Sequence, residues 1–284
     1  MNYTKEDIID GEFHSHVIDE ILFSKKTKYQ KIEIIKTKAN GIGLFIDGRI
    51  QHVELDEYVY SEIMVHSAMI FLKETTKNVL CIGGGPGGII REVLKYDFVE
   101  SVEQIDIDNE IIEISKKYLS HITQDAFYDS RYNLIIDDAT NYLKQTTKKY
   151  NLIINDLSEP LNDGASLPFF KSNTLNDVKN SLTDKGIYVS WGGSASTLAN
   201  NSIKLYQELK STFQNVYPLY NYMQSYGTSW FTFICSDSEI INLNEEVEVI
   251  DTFLTKNKIH LIFFDGLTFK HISLLPKNIR KIVQ

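Results

Sequence analysis

The sequence predicts an α/β fold: a Rossmann-like parallel sheet wound with helices on both faces, preceded by a small N-terminal β-strand domain. Three observations predict it. Strand-like and helix-like segments alternate from Lys77 to about Asp237, the rhythm of a doubly wound sheet. The apolar run Asn78–Ile82 ends in Gly83-Gly84-Gly85-Pro86-Gly87-Gly88 and passes directly into a helical pattern. About twenty residues beyond Pro86, the next apolar strand closes on Asp106. Glycine lacks Cβ, so it tolerates positive φ and lets a ligand come close to the backbone. A strand, a tight glycine turn and a helix N-terminus make a nucleotide pocket, and an acid ending the next strand can accept hydrogen bonds from ribose hydroxyls. A plain glycine turn in a parallel sheet leaves that acid unexplained. Gly83, Gly85, Pro86 and Gly87 are therefore candidate nucleoside contacts, with Asp106 and its neighbour Ile107.

In chain order, the residues up to about Leu72 read as strands and turns before a first helix. Tyr29–Ile35 alternates, Gly43–Ile46 runs apolar, and Ile46-Asp47-Gly48-Arg49-Ile50 contains a two-residue hairpin turn. Glu57 to Leu72 has helical spacing of apolar residues. The expected division is residues 1–73 as the β-strand domain and 74–284 as the Rossmann-like domain with a C-terminal extension. In the second part, strands are expected at Asn78–Ile82, Ser101–Ile107, Tyr132–Ile136, Leu152–Asn155 and Gly186–Ser190. Helices are expected at Gly87–Lys95, Asn109–Leu119, Ala139–Gln145, Ser172–Leu182 and Ser202–Phe213. Trp230–Cys235 supplies a last strand, and Val247–Gln284 a short helix, an extended stretch and a helical close.

Composition narrows the partners. The 284 residues are 43% apolar, enough for one sizeable domain or a large one with an appendage. No apolar run reaches membrane-spanning length, and the polar, acidic start lacks the features of a signal peptide. Cys81 and Cys235 both sit in apolar strand-like runs, without metal-ligand or disulfide spacing, and read as buried thiols of a reducing cytoplasm. A net charge of −9 disfavours a nucleic-acid polymer and favours cationic ligands.

Acids recur at the carboxyl ends of the predicted strands, the edge where ligands bind in such sheets. Asp137-Asp138-Ala139 follows the third strand, where an acid can accept from an adenine amino group or simply cap the next helix. Asn155-Asp156-Leu157-Ser158-Glu159-Pro160 follows the fourth, and the glycine- and proline-punctuated loop to about Phe170 has the composition of a lid. Asp106, Asp138 and Asp156 together suit a site for a donor and an acceptor.

On these residues the chain resembles the spermidine synthase (polyamine aminopropyltransferase) family over essentially its whole length. The resemblance is carried by Thr27-Lys28-Tyr29-Gln30, Ile46-Asp47-Gly48-Arg49-Ile50-Gln51, Asp56-Glu57-Tyr58-Val59-Tyr60-Ser61-Glu62 and His66. It continues through the glycine run, Arg91-Glu92-Val93, Asp106-Ile107-Asp108, Asp138, Asp156–Pro160 and Tyr226-Gly227-Thr228-Ser229-Trp230. It implies an S-adenosylmethionine-type co-substrate, intact or decarboxylated, no metal, and a homodimer or larger homo-oligomer. It also implies that Gln30, Gln51, His66, Asp106 and Asp138, with Ile107 and Ala139 alongside, hold the donor. Tyr60, Asp156 and Tyr226 handle the attacking amine, with Ser61, Glu159 and Trp230 on the acceptor side. Displacement at a carbon beside a sulfonium needs little covalent help, so positioning and electrostatics carry it. Asp156, aided by Tyr60, is the candidate to orient the amine and take its proton.

The chain departs from the family where Pro86 replaces an Asp that is associated with the free amine of the decarboxylated donor. Proline brings neither charge nor N–H. Ser61 replaces a His or Gln, and Glu159 the usual second Asp of the acceptor loop. The first reading is therefore transfer of a 3-amino-3-carboxypropyl group from intact S-adenosylmethionine to a small metabolite or a modified peptide, as in antibiotic maturation. The alternatives are orthodox aminopropyl transfer from the decarboxylated donor to a di- or polyamine, and N-methyl transfer.

Overall fold

The computed structural model describes residues 2–9, 11–158, 166–195, 200–281 and 283. Five antiparallel strands form the first sheet, in the order of the chain: β1 (Tyr3–Ile9), β2 (Glu12–Lys26), β3 (Lys31–Thr37), β4 (Gly41–Ile46) and β5 (Arg49–Val53). The β4–β5 turn is Asp47-Gly48, with φ of +51° and +80°. Two successive positive φ values match the twist of the flanking strands, which is why Asp-Gly occupies the turn.

Helix α1 (Glu57–Leu72) follows and is buried on almost every side. A polar residue on such a helix needs a partner, and each of its charged or imidazole side chains has one. Arg91 donates to both Glu57 oxygens, at 2.8 and 3.2 Å, and to Glu92 at 2.8 Å. The Glu62 carboxylate accepts from the backbone N–H groups of Ile262, Phe263 and Phe264 at 2.8 to 2.9 Å.

The second sheet is built from β6 (Asn78–Gly83), β7 (Ser101–Asp106), β8 (Tyr132–Ile136), β9 (Tyr150–Asp156), β10 (Leu182–Ser194), β11 (Asn215–Met223) and β12 (Thr228–Ser236). Its helices are α2 (Gly88–Leu94), α3 (Asn109–Tyr118), α4 (Ser120–Thr123), α5 (Ala139–Gln145), α6 (Ser172–Asn180) and α7 (Asn200–Thr212). The tail adds α8 (Val247–Lys256), α9 (Gly266–Ser273) and α10 (Lys277–Arg280). The strand order is β11-β12-β10-β9-β6-β7-β8. Strands β8, β7, β6, β9 and β10 are parallel, while β12 runs antiparallel to β10 and β11 antiparallel to β12. The sheet is thus mixed, where a parallel one was expected. Strand β11, not foreseen, contains Pro218 and lies at the sheet edge, the position in a sheet that tolerates proline. Helix α6 stops at Asn180, two residues short of expectation, because Leu182 already pairs with Tyr150 as the first residue of β10.

The chain leaves β6 toward β7 and β8, then returns to place β9 on the other side of β6. A crevice opens at such a reversal, beyond the carboxyl ends of the strands. Among the described residues, no helix is long and apolar enough to cross a membrane.

Glu62→Ala leaves three N–H groups without their charged acceptor. We expect a stability loss of about 1–3 kcal/mol, the usual range for one buried group left unpaired, because of the three only the Phe264 N–H is buried. A lower urea midpoint and new proteolysis within residues 257–281 would be the measured signs.

Candidate active site

The crevice is shaped first by backbone. Gly83, Gly84 and Gly87 have φ of +78°, +80° and +80°. The Gly84 N–H donates to the Asp156 carbonyl at 3.1 Å, and a Cβ on Gly83 would stand 2.5 Å from that oxygen. A Cβ on Gly85 would meet Ile111 of α3 at 2.8 Å. The turn is thus pressed between the end of β9 and α3, and Gly83, Gly84, Gly85 and Pro86, although buried, form one wall of a cavity.

One end of the cavity is organised by two aspartates. Asp106 lines the cavity and accepts from the Asp108 N–H at 2.9 Å. Asp108 is buried and caps α3 through the Glu110 N–H, while its other oxygen accepts from Thr27 at 2.7 Å and from the Gln30 amide at 3.1 Å. Gln30 is thereby fixed with its amide nitrogen engaged, leaving its side-chain oxygen for the cavity it lines.

At the other end, Tyr60 of α1 donates its hydroxyl to Asp156 Oδ1 at 2.7 Å. The Tyr226 hydroxyl donates to the Gln51 carbonyl, and its ring lies 4.8 Å from that of Trp230. Trp191 of β10 stands 5.9 Å from Trp230, and His52 meets Tyr60 edge-on at 5.2 Å. Burial pushes Asp156 up to about 7 against the hydrogen bond from Tyr60, with the Asp106 charge adding to the rise. Burial also raises Asp106 to about 7, and the charge of Asp108 adds to it. His52 drops to about 4, through burial and then Arg91, so it is neutral at neutral pH. Burial, then the Asp156 charge, holds the Tyr60 hydroxyl well above its ordinary value. Within the pair, Tyr60 keeps its proton and Asp156 is the group able to accept one. Its raised pKa makes it the stronger acceptor of a proton from an ammonium.

Of the residues singled out in the sequence, Gln30, Gln51, Tyr60, Asp106, Ile107 and Asp156 line this one cavity. So do Gly83, Gly85, Pro86, Tyr226 and Trp230. Others do not. The expected donor contact by His66 is corrected: its ring is fully buried, bonded to Tyr96 at 2.7 Å and to Glu92 at 2.9 Å, so both nitrogens serve the α1–α2 packing. Ser61 is likewise fully buried beneath α2, bonded to Glu57 and 2.5 Å from where a Cβ on Gly88 would lie. Asp138 caps α5 by accepting from the Thr140 N–H at 2.7 Å, and neither it nor Ala139 reaches the cavity lining. Gly87 backs onto Phe127 instead of the cavity. Glu159, and the part of the expected lid at 159–165, lie outside the described residues.

The lining also includes residues that sequence reasoning passed over, among them Glu6, His52 and Trp191. A tryptophan just before Gly192-Gly193 at the end of an apolar strand was a usable signal for the last. Glu6 and His52 carry none, since sheet pairing alone brings them here.

Known proteins share this fold. Residues 57–246 match the spermine/spermidine synthase domain, and residues 2–54 the spermidine synthase tetramerisation domain. The polyamine aminopropyltransferase of Saccharolobus solfataricus is 35% identical over 281 residues, covering 96% of this chain and 90% of that protein. The polyamine aminopropyltransferase of Buchnera aphidicola subsp. Acyrthosiphon pisum is 32% identical over 263 residues, covering 93% and 91%. Among solved structures, a spermidine synthase in complex with the transition state analogue AdoDATO superposes with a TM-score of 0.92 at 22% identity, over 99% of this chain and 94% of that one. The spermidine synthase from Thermotoga maritima gives 0.90 at 22% identity, over 100% and 94%. At that identity the structural likeness concerns the fold.

Asp106 and Asp156 gain charge as pH rises through about 7. Affinity for a cationic sulfonium nucleoside should therefore rise between pH 6 and pH 8, by up to roughly tenfold for each carboxylate that must be ionised. The neutral thioether methylthioadenosine should show a much smaller change. Calorimetric titration of both nucleosides across that range is the measurement.

Proposed function

This chain belongs to the spermine/spermidine synthase family, and on that premise we propose that it transfers an aminopropyl group from decarboxylated S-adenosylmethionine to a nitrogen of a di- or polyamine. The observation that carries the proposal is the Tyr60–Asp156 hydrogen bond, set at the strand reversal directly against the glycine turn. In the reaction, the amine nitrogen attacks the donor carbon bonded to sulfur. The C–S bond breaks, its electron pair stays on sulfur, and methylthioadenosine leaves. The nitrogen proton passes to Asp156, while Tyr60 holds that carboxylate in register. Gln30 and Asp106 orient the nucleoside so that the reacting carbon faces Asp156, and the reaction gains chiefly from this positioning. The match to a tetramerisation domain over residues 2–54 supports a homo-oligomer.

The sequence reading put the intact donor first. The curated relatives, named as polyamine aminopropyltransferases, weigh instead toward the decarboxylated donor, and none of those names points to a peptide acceptor. One observation keeps the intact donor as a second reading: Pro86 lines the cavity where a tethering acid is expected, so the wall offers no carboxylate at that point to the donor's ammonium. Mass spectrometry of products from each donor with a panel of amines distinguishes the two, and S-adenosylhomocysteine as the nucleoside product would indicate methyl transfer.

Asp156→Asn should lower turnover by roughly 10²–10⁴-fold, the usual range for loss of a general base, with methylthioadenosine binding retained. Pro86→Asp should shift the ratio of turnover toward the decarboxylated donor. An unchanged ratio would place donor discrimination elsewhere in the cavity.

A further inference from the structure

A fully buried amide inside the second sheet has no part in the chemistry just described. By strand alternation, Val102, Gln104 and Asp106 share one face of β7. Gln104 is paired there with Cys81 of β6 on one side and Leu134 of β8 on the other. Its side chain is 0% exposed, so both ends of the amide need partners. Nε2 donates to the Gly83 carbonyl at 2.8 Å. A carbonyl only accepts, which fixes the nitrogen on that side and turns Oε1 toward Tyr132. The Tyr132 hydroxyl donates to that oxygen at 2.8 Å. Tyr132 pairs with Val102, and Gly83 lies two residues beyond Cys81. Both bonds are therefore two-residue diagonals that step the same way across β8, β7 and β6. The line continues through the next peptide, where the Gly84 N–H donates to the Asp156 carbonyl of β9. A trans peptide points its C=O and N–H in opposite directions, so the Gly83–Gly84 peptide is gripped from both neighbouring strands. Glycine takes positive φ about as readily as negative, and backbone preference alone leaves the orientation of this peptide open.

We propose that Gln104, fixed by Tyr132, is a positioning residue that sets the Gly83–Gly84 peptide and with it the wall on which the donor nucleoside lies. This rests on the reading of the cavity as the site of a nucleoside donor. Glycine supplies the freedom that the turn needs, and the amide on the next strand removes what is left over. Because the same peptide reaches the Asp156 carbonyl, the clamp also joins the donor wall to the strand end that carries Asp156. A Cβ on Gly84 would lie 2.7 Å from the Cys81 sulfur, 3.5 Å from Asp156 Oδ2 and 3.6 Å from Gln104 Nε2, so the three side chains enclose this one residue.

The test is calorimetric binding of methylthioadenosine to the whole chain, with hydrogen exchange at the Gly84 N–H as a second readout. Gln104→Met keeps the volume but leaves the Gly83 oxygen to the Cys81 thiol, a weak donor 3.8 Å away. Affinity should fall roughly three- to tenfold, the worth of one hydrogen bond, and Gly84 exchange should quicken. Tyr132→Phe, which releases the amide oxygen, should give a smaller change of both kinds, and it carries the comparison if Gln104→Met does not fold. Gln104→Glu is the rescue, since a protonated carboxyl reproduces both bonds and an ionised one cannot donate. The titratable groups around this position are Cys81 on β6, Asp106 on β7, Tyr132 on β8, Asp156 on β9 and Glu113 on α3. Burial and the acids among them favour the protonated form. Gln104→Glu should therefore match wild type near about pH 6 and lose affinity toward about pH 9, a fall that wild type does not show. In turnover, Gln104→Met should raise KM for the donor severalfold and leave KM for the amine unchanged. Wild-type affinity and wild-type Gly84 exchange in Gln104→Met, or a Gln104→Glu variant equal to Gln104→Met at every pH, would overturn the proposal. A wild-type chain that does not bind methylthioadenosine would overturn the donor reading instead, and Gly84 exchange in the variants would still decide the clamp.

Discussion

The close approach of the β6 glycine turn to the end of β9 governs everything else in the cavity. The Gly84 N–H meets the Asp156 carbonyl, and no Cβ fits at Gly83 without striking the same oxygen. Because β6 and β9 are neighbouring strands with Gly83 opposite Asp156, the Asp156 side chain is delivered at the rim of the cavity beside the glycine turn. That contact in turn requires the strand order to reverse at β6, which the parallel run β9-β6-β7-β8 provides. Helix α1 then closes the arrangement by bringing Tyr60 onto Asp156.

What could be read in advance follows the range of the interactions involved. The glycine turn, Asp106 and Asp156 were legible because strand, turn and terminal acid are local, and their chemistry depends on sequence neighbours. Helix α1 and the β4–β5 turn were legible for the same reason. His66 was not, since a histidine on a helix can bind a ligand or join a core, and the deciding partners, Glu92 and Tyr96, lie on the next helix and beyond it. Asp138 had two local readings, and cap geometry took it. Glu6, His52 and Trp191 reach the cavity through pairing and packing that no local pattern encodes. The antiparallel edge of the second sheet escaped notice because Pro218 interrupts the strand pattern of β11.

Electrostatically, the cavity is an acid-lined space awaiting positive charge. Asp106 and Asp156 are both held near neutrality by burial. The one imidazole among them, His52, stays uncharged for the same reason, since burial disfavours ionisation of acids and bases alike. A sulfonium and an ammonium would each relieve the strain of ionising these acids. The excess of acidic residues in the chain is thus repeated in the cavity lining, where Glu6, Asp47, Asp106 and Asp156 accompany Arg49.

The clasp of Glu62 on residues 262 to 264 has a temporal consequence. Tyr60 sits half a turn from Glu62, so the helix that presents the phenol is braced by backbone emerging about two hundred residues later in synthesis. On the ribosome, the glycine turn and Asp156 are made first and must wait. The brace on α1 therefore forms only once residues 262 to 264 have been made.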